Sequence, residues 1–189
     1  MEIYEAIKGR RSVRRYRKEP VSEEILLKII DAGRFAPSAG NKQPWEFVMV
    51  NEKRLVEKIF ENVVWLPAVG TPPAGRRPTA YIVVLGNPEI REHYQADLSA
   101  AIQNILLAAY AEGLGSCWIG SVNRGNIYRL LKIPHSLDIF SLISLGYPDE
   151  AVAYENSPST GVWKDEEGKI YVPKKPIDKI VHKNYYSRG

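Results

Sequence analysis

Arg10-Arg11-Ser12-Val13-Arg14 is the stretch whose side chains point most directly to a chemistry. In an extended segment alternate side chains share a side, so Arg10, Ser12 and Arg14 would face together. Guanidinium groups bind phosphate through paired, charge-assisted bonds, and a hydroxyl between two of them adds a further partner. This spacing predicts an anion site, with a solvated basic face as the alternative. A second pointer is PSAGNKQPW at 37–45. Its turn residues expose backbone amides beside Ser38, Asn41 and Gln43. A plain helix-to-strand connection explains Pro37 and Gly40 but not that polar set. The third is Gly120, a glycine at the end of an apolar stretch, where the missing Cβ lets another group approach the backbone.

Other chemistries are poorly supplied. His93, His135 and His182 stand isolated, with no Cys or carboxylate at metal-ligand spacing. Cys117 lies in an apolar run and reads as a buried, inert thiol. As the only cysteine it excludes an intrachain disulfide and any Cys-rich metal site. The run GLGSCWIG at 113–120 misplaces the third glycine of a dinucleotide fingerprint. It also puts Ser121 where a phosphate loop requires Lys.

The elements that must position these residues follow from periodicity. Residues 3–8 predict a short helix ending at Gly9. Ser22 offers an N-cap, followed by Glu23 and Glu24 and an apolar stripe, which predicts an amphipathic helix over 22–35. Strands are expected at 47–50, 80–85, 117–122 and 140–145, and further helices at 52–60 and 126–131. Residues 97–112 are apolar nearly all round, so that helix should be buried in a core or against a partner. Pro67, Pro72, Pro73 and Pro78 keep 66–78 irregular, a length that often marks a lid or a mobile segment. After Pro148 apolar periodicity is weak until 177–181. Interleaved helices and apolar strands predict a single α+β domain over 1–189, a sheet covered by helices.

The composition agrees. The chain has 189 residues, 44% of them hydrophobic and 25% charged, within the ordinary range for a folded domain. No run approaches a membrane span, and the first residues lack an apolar signal core, which predicts a soluble cytoplasmic protein. The formal charge is +4, concentrated in two groups. One lies between Lys8 and Lys18; the other comprises Lys164, Lys169, Lys174, Lys175, Lys179, Lys183 and Arg188. Such clusters attract anions, yet no aromatics interleave with them in an RNA-binding pattern.

In order along the chain, RRSVR at 10–14, APSAGNKQPW at 36–45, AAIQNILLAAYAEGLGSCWIG at 100–120, ISLGYP at 143–148 and PKKPIDKIVH at 173–182 resemble the nitroreductase family of FMN-dependent oxidoreductases. The resemblance implies a mixed β-sheet wrapped by helices in an intertwined homodimer, with the 97–112 helix at the dimer core and FMN at the interface. By similarity, Arg10, Ser12 and Arg14 hold the FMN phosphate and ribityl chain, with Arg11 alongside. Pro37, Ser38 and Asn41 resemble the loop laid on the flavin by the other subunit. Gly120 and Ser121 resemble the strand end whose backbone amide faces flavin N5. Where the family uses a C-terminal Arg, Lys174 or Lys175 stands here. The implied activity is ping-pong reduction of nitroaromatics, quinones or similar small electrophiles by NAD(P)H, with no acid–base side chain and no nucleic acid or membrane as partner. Two other readings are open. One is a non-reductase member performing dehalogenation, dehydrogenation or flavin fragmentation, although 61–78 lacks the Tyr and Lys of the deiodinase lid. The other is a flavin-free module binding RNA or another anion.

Overall fold

The computed structural model describes residues 2–186; Arg188 of the second basic group lies outside them. The main sheet has four strands, β1 (Trp45–Val50), β2 (Ala80–Gly86), β3 (Gly115–Ile119) and β4 (Asp138–Gly146), in the order β1-β2-β4-β3 and antiparallel throughout. Its parallel component comes from outside the named strands, where Ser12 bridges Ser116 along the free edge of β3.

β2 shows why an uninterrupted apolar run can be a strand. Ala80, Ile82 and Val84 enter one core while Tyr81, Val83 and Leu85 enter the other. Both faces are covered, so no position needs to be polar. The first core lies under α2 (Glu23–Arg34) and α4 (Gln95–Ala111), the second under α3 (Lys53–Phe60) and α5 (Arg124–Leu131). The expected Ser22 cap is formed, its hydroxyl oxygen accepting the Ile25 amide at 3.3 Å. A short α1 (Ile3–Gly9) precedes the arginine segment.

Helix α4 buries most of its surface inside its own chain. Leu98, Ala101, Ile102, Ile105, Leu106 and Ala109 belong to the first core. Gly33 of α2 packs so closely that a Cβ there would lie 2.7 Å from Ile105. The small residue Gly33 of α2 thus admits Ile105, and a stripe of α4 with Ser99, Ala100, Gln103, Leu107 and Ala108 stays partly or fully exposed and open to a partner.

Residues 66–78 are irregular, as their prolines require, and are tied to the rest of the chain at Val69. Val63, Trp65 and Val69 are buried, and the Val69 carbonyl accepts from both Arg15 (2.9 Å) and Lys164 (3.1 Å). Beyond Pro148 the structure adds a small sheet that weak periodicity concealed: β5 (Val152–Asn156) parallel to β7 (Ile170–Lys174), with β6 (Trp163–Lys164) antiparallel on its other side. These strands are short and half-exposed, so their side chains do not alternate cleanly between core and solvent.

Tyr94, just before α4, ties the helix layer to β4. Its hydroxyl donates to Asp138 Oδ2 at 2.7 Å. Burial, then the Asp138 carboxylate, push the phenol up to about 12. The folded value lies above the unfolded one near 10, so this contribution is complete below pH 10 and lost as pH rises through 12. Urea unfolding across that window should show a smaller alkaline loss in Tyr94→Phe than in the unmodified protein; equal losses would refute the assignment.

Candidate functional site

The arginine segment forms an extra strand-like edge. Val13 N–H donates to the Ser116 carbonyl at 2.9 Å, and the Val13 side chain fills the space above Gly115, where a Cβ would approach it to 2.6 Å. Behind it, the fully buried Tyr16 places its hydroxyl 2.8 Å from Ser144 Oγ. Glu150 fixes the next turn of chain. Its carboxylate accepts from the backbone amide of Arg14, from that of Arg15 at 3.3 Å, and from the Arg15 guanidinium at 3.0 Å.

This register sorts the side chains. Burial pushes the Cys117 thiol up; the Arg14 charge, a hydrogen bond from Ser12 and the Arg10 charge all oppose that shift. The three residues that oppose the shift are those that alternation places on one side of the segment, and Arg14 lines a cleft together with Cys117 of β3. Arg11 is directed elsewhere. Its guanidinium donates to the Lys8 and Arg10 carbonyls at the end of α1 and lies 5.1 Å from the centre of the Tyr154 ring. It serves as a helix C-cap, separated from the other three by the alternation of the chain.

Arg14 shares a cleft of about 230 Å³ with Gly120 and Ser121, walled by Trp65, Leu66 and Pro67 of the irregular segment. Two observations fit a phosphate-bearing cofactor here. Arg10 has no carboxylate partner among the described residues, and burial followed by the neighbouring Arg11 charge lowers its pKa. That uncompensated positive charge favours an anion. Beside Gly120, a Cβ would meet nothing within 4 Å, so the backbone is open to a planar group.

The remaining expected residues lie apart within the chain. In the 37–45 loop, Asp97 at the start of α4 accepts the Ala39 amide at 3.2 Å, and Ser38 Oγ accepts the Gln43 amide at 3.0 Å. Gly40, Asn41 and Gln43 all take positive φ, of 59°, 53° and 49°. This unusual backbone turns the loop, with Pro37, Ser38 and Asn41, away from its own core, and the structure joins it to α4 rather than to the arginine segment. Lys174 and Lys175 are exposed at the end of β7, where the Lys174 carbonyl accepts from Ser157 at 2.9 Å. Lys174 lies in the same small sheet as Tyr154, the residue against Arg11.

Glu150, Trp65 and Arg124 escaped the sequence reading. Glu150 lies 136 residues from the amide that it holds, and no local pattern encodes such a contact.

A family model described as the nitroreductase family matches residues 7–147. A provisionally named NADH dehydrogenase/NAD(P)H nitroreductase of Archaeoglobus fulgidus is 39% identical over 166 residues, covering 82% of this chain and 90% of its own. Among solved structures, a nitroreductase family protein from Clostridium novyi NT has 35% identity and a TM-score of 0.71, covering 78% of this chain and 87% of that one. A nitroreductase from Bacteroides fragilis with bound FMN has 26% identity and a TM-score of 0.65, covering 85% and 96%. More distant relatives carry other names. An iodotyrosine deiodinase of Thermotoga neapolitana is 26% identical over 78% of this chain and 89% of its own. A 5,6-dimethylbenzimidazole synthase of Rhodobacter capsulatus is 25% identical over 78% and 84%. By the span of the family model and the identity to its relatives, the chain belongs to the nitroreductase family.

Proposed function

We propose that this protein is an FMN-dependent oxidoreductase that uses NAD(P)H to reduce nitroaromatics, quinones or similar small electrophiles by a ping-pong mechanism, acting as a cytoplasmic homodimer. The observation that carries this reading is two cations, Arg10 and Arg14, that form no ion pair among the described residues and lie on the segment along β3, with Arg14 in one cleft with the open backbone of Gly120 and Ser121. The bound FMN of a structural relative supports the identity of the cofactor.

FMN, when bound, supplies the hydride and electron-transfer chemistry. In this reading Arg10 and Arg14 hold its phosphate, Ser12 adds a hydroxyl, Gly120 and Ser121 present backbone to the ring, and Lys174 or Lys175 adds charge. Pro37, Ser38 and Asn41 act from the second subunit. Exposed apolar residues on α1 (Ile3, Tyr4, Ile7), Phe35 after α2 and Ile177, Ile180 and Val181 near the end of the chain support a second copy as the cover. Arg14 and Cys117 are the only titratable side chains lining the cleft among the described residues, and burial keeps the thiol protonated. No helix is long and apolar enough to cross a membrane among the described residues.

The names of the distant relatives favour, as a second reading, a non-reductase reaction on the same flavin. The visible spectrum of freshly purified protein, with NADH and NADPH then added without oxygen, tests the main reading. Flavin bands that bleach are expected. Bands that persist with both nucleotides would transfer support to the second reading. Colourless protein that takes up no added FMN would refute the cofactor and leave a flavin-free anion-binding module.

A further inference from the structure

Three carbonyl oxygens converge on one side chain next to Gly120, a residue that lines the cleft. Arg124, the first residue of α5, donates from Nε to the Ile139 carbonyl at 2.8 Å. From Nη2 it donates to the Phe140 carbonyl at 3.0 Å and to the Gly120 carbonyl at 3.2 Å. The first two oxygens belong to an irregularity in β4. Opposite β2 the pairing runs Leu85 to Ile139 and then Val84 to Ser141, so Phe140 has no partner in that register. A bulge of this kind bends the strand and leaves backbone groups unpaired in the ladder. The guanidinium fork matches them, which anchors Arg124 to the rigid sheet and leaves Nη2 to reach Gly120.

The Gly120 contact determines a direction. A trans peptide is planar, with its C=O and N–H pointing to opposite sides, and no cis bond occurs in the described chain. With the Gly120 carbonyl drawn to Arg124, the N–H of Ser121 is turned the other way. Glycine has little intrinsic preference for that orientation, because without a Cβ its backbone is free to rotate. The chain on the far side is held independently. The Ser121 carbonyl accepts from Val64 and the Asn123 amide donates to the Asn62 carbonyl, both at 2.9 Å. The Gly120 carbonyl between these held segments is bonded by the Arg124 side chain.

We infer that Arg124 is a positioning residue for the ring end of the cofactor: by holding the Gly120 carbonyl it fixes the Ser121 N–H as a donor toward the cleft. This rests on the FMN reading proposed above. Arg124 acts through the Gly120–Ser121 peptide and not on the phosphate, so its effect is separable from that of Arg10 and Arg14.

Titrations of the apoprotein with FMN and with riboflavin, followed by flavin fluorescence, test the inference. Riboflavin shares the ring but lacks the phosphate. Arg124→Met should weaken both ligands by about tenfold, the loss of roughly one well-formed hydrogen bond in a protected site, leaving their ratio as in the unmodified protein. The visible bands of bound FMN should shift toward those of free FMN. Arg124→Lys, which keeps the charge and can retain one carbonyl bond, should recover part of the loss and provides the test if the Met variant does not fold. Arg10→Ala should instead weaken FMN alone. Unchanged affinity for both ligands, or a loss confined to FMN, would overturn the role of Arg124. If the unmodified protein binds neither flavin, the FMN reading itself fails and this inference with it.

Discussion

Replacing Arg10 and Arg14 together by alanine is expected to weaken FMN binding by at least about a hundredfold, since each charge-assisted bond contributes roughly 1.5–3 kcal/mol. Side chains alternate along this edge. Because Ser12 bridges Ser116 in parallel, Arg10 and Arg14 fall on the side nearest Cys117 and Arg11 on the other. Arg10 lacks a carboxylate partner among the described residues, so its charge is available to a phosphate. Arg11→Ala serves as the internal control. It removes the donors to the Lys8 and Arg10 carbonyls and should lower thermal stability while changing FMN affinity by no more than about threefold. Fluorescence titration of the two variants and the unmodified protein decides the matter. Retained FMN affinity in the double variant, or an equal loss in Arg11→Ala, would show that the phosphate is held elsewhere.

Glu150→Ala should cost about 3–5 kcal/mol, because removing one member of a buried ion pair strands the other. The Glu150 side chain is 5% exposed and that of Arg15 18%, so water replaces little of the lost contact. The substitution also leaves the Arg14 and Arg15 amides without their acceptor. In a domain of this length the midpoint of thermal unfolding should fall by roughly 6–20 °C. Replacing both partners with apolar residues, Arg15→Met with Glu150→Leu, should cost less than Glu150→Ala alone, since the double change strands no charge. Differential scanning calorimetry of both proteins is the measurement. A fall of less than about 2 °C in Glu150→Ala would mean that the pair contributes no more than an exposed one. FMN affinity should fall in the same variant, because Glu150 holds the segment on which Arg10 and Arg14 are displayed.

Much of the fold could be read from local pattern. Ser22 as a cap, the apolar stripe of α2 and the doubly buried run of β2 each state their structure through spacing alone. Boundaries shifted where pairing decides them. β3 begins at Gly115, two residues before the apolar run suggested, because its partner strand β4 runs on to Gly146 opposite Gly115, and its pairing stops at Ile119 opposite Leu142. The irregular 66–78 segment was legible as irregular but not as anchored. Its anchors, Arg15 and Lys164, are 54 and 95 residues away from the Val69 carbonyl that they share.

By itself, then, the sequence determined which residues carry charge, which carry a hydroxyl, and which side of an extended segment each takes, because side-chain alternation is a property of the local backbone. That was enough to group Arg10, Ser12 and Arg14 and to single out Gly120. Only the tertiary structure decided that this group lies along β3, that Arg11 turns back to cap α1, that Glu150 holds the Arg14 and Arg15 amides, and that Arg124 holds the Gly120 carbonyl. The 37–45 loop, joined to α4, was separated from the arginines at the same level. Those outcomes depend on hydrogen bonds between segments far apart in the chain. Their partners are chosen by how the sheet packs, and a linear pattern holds no record of that choice.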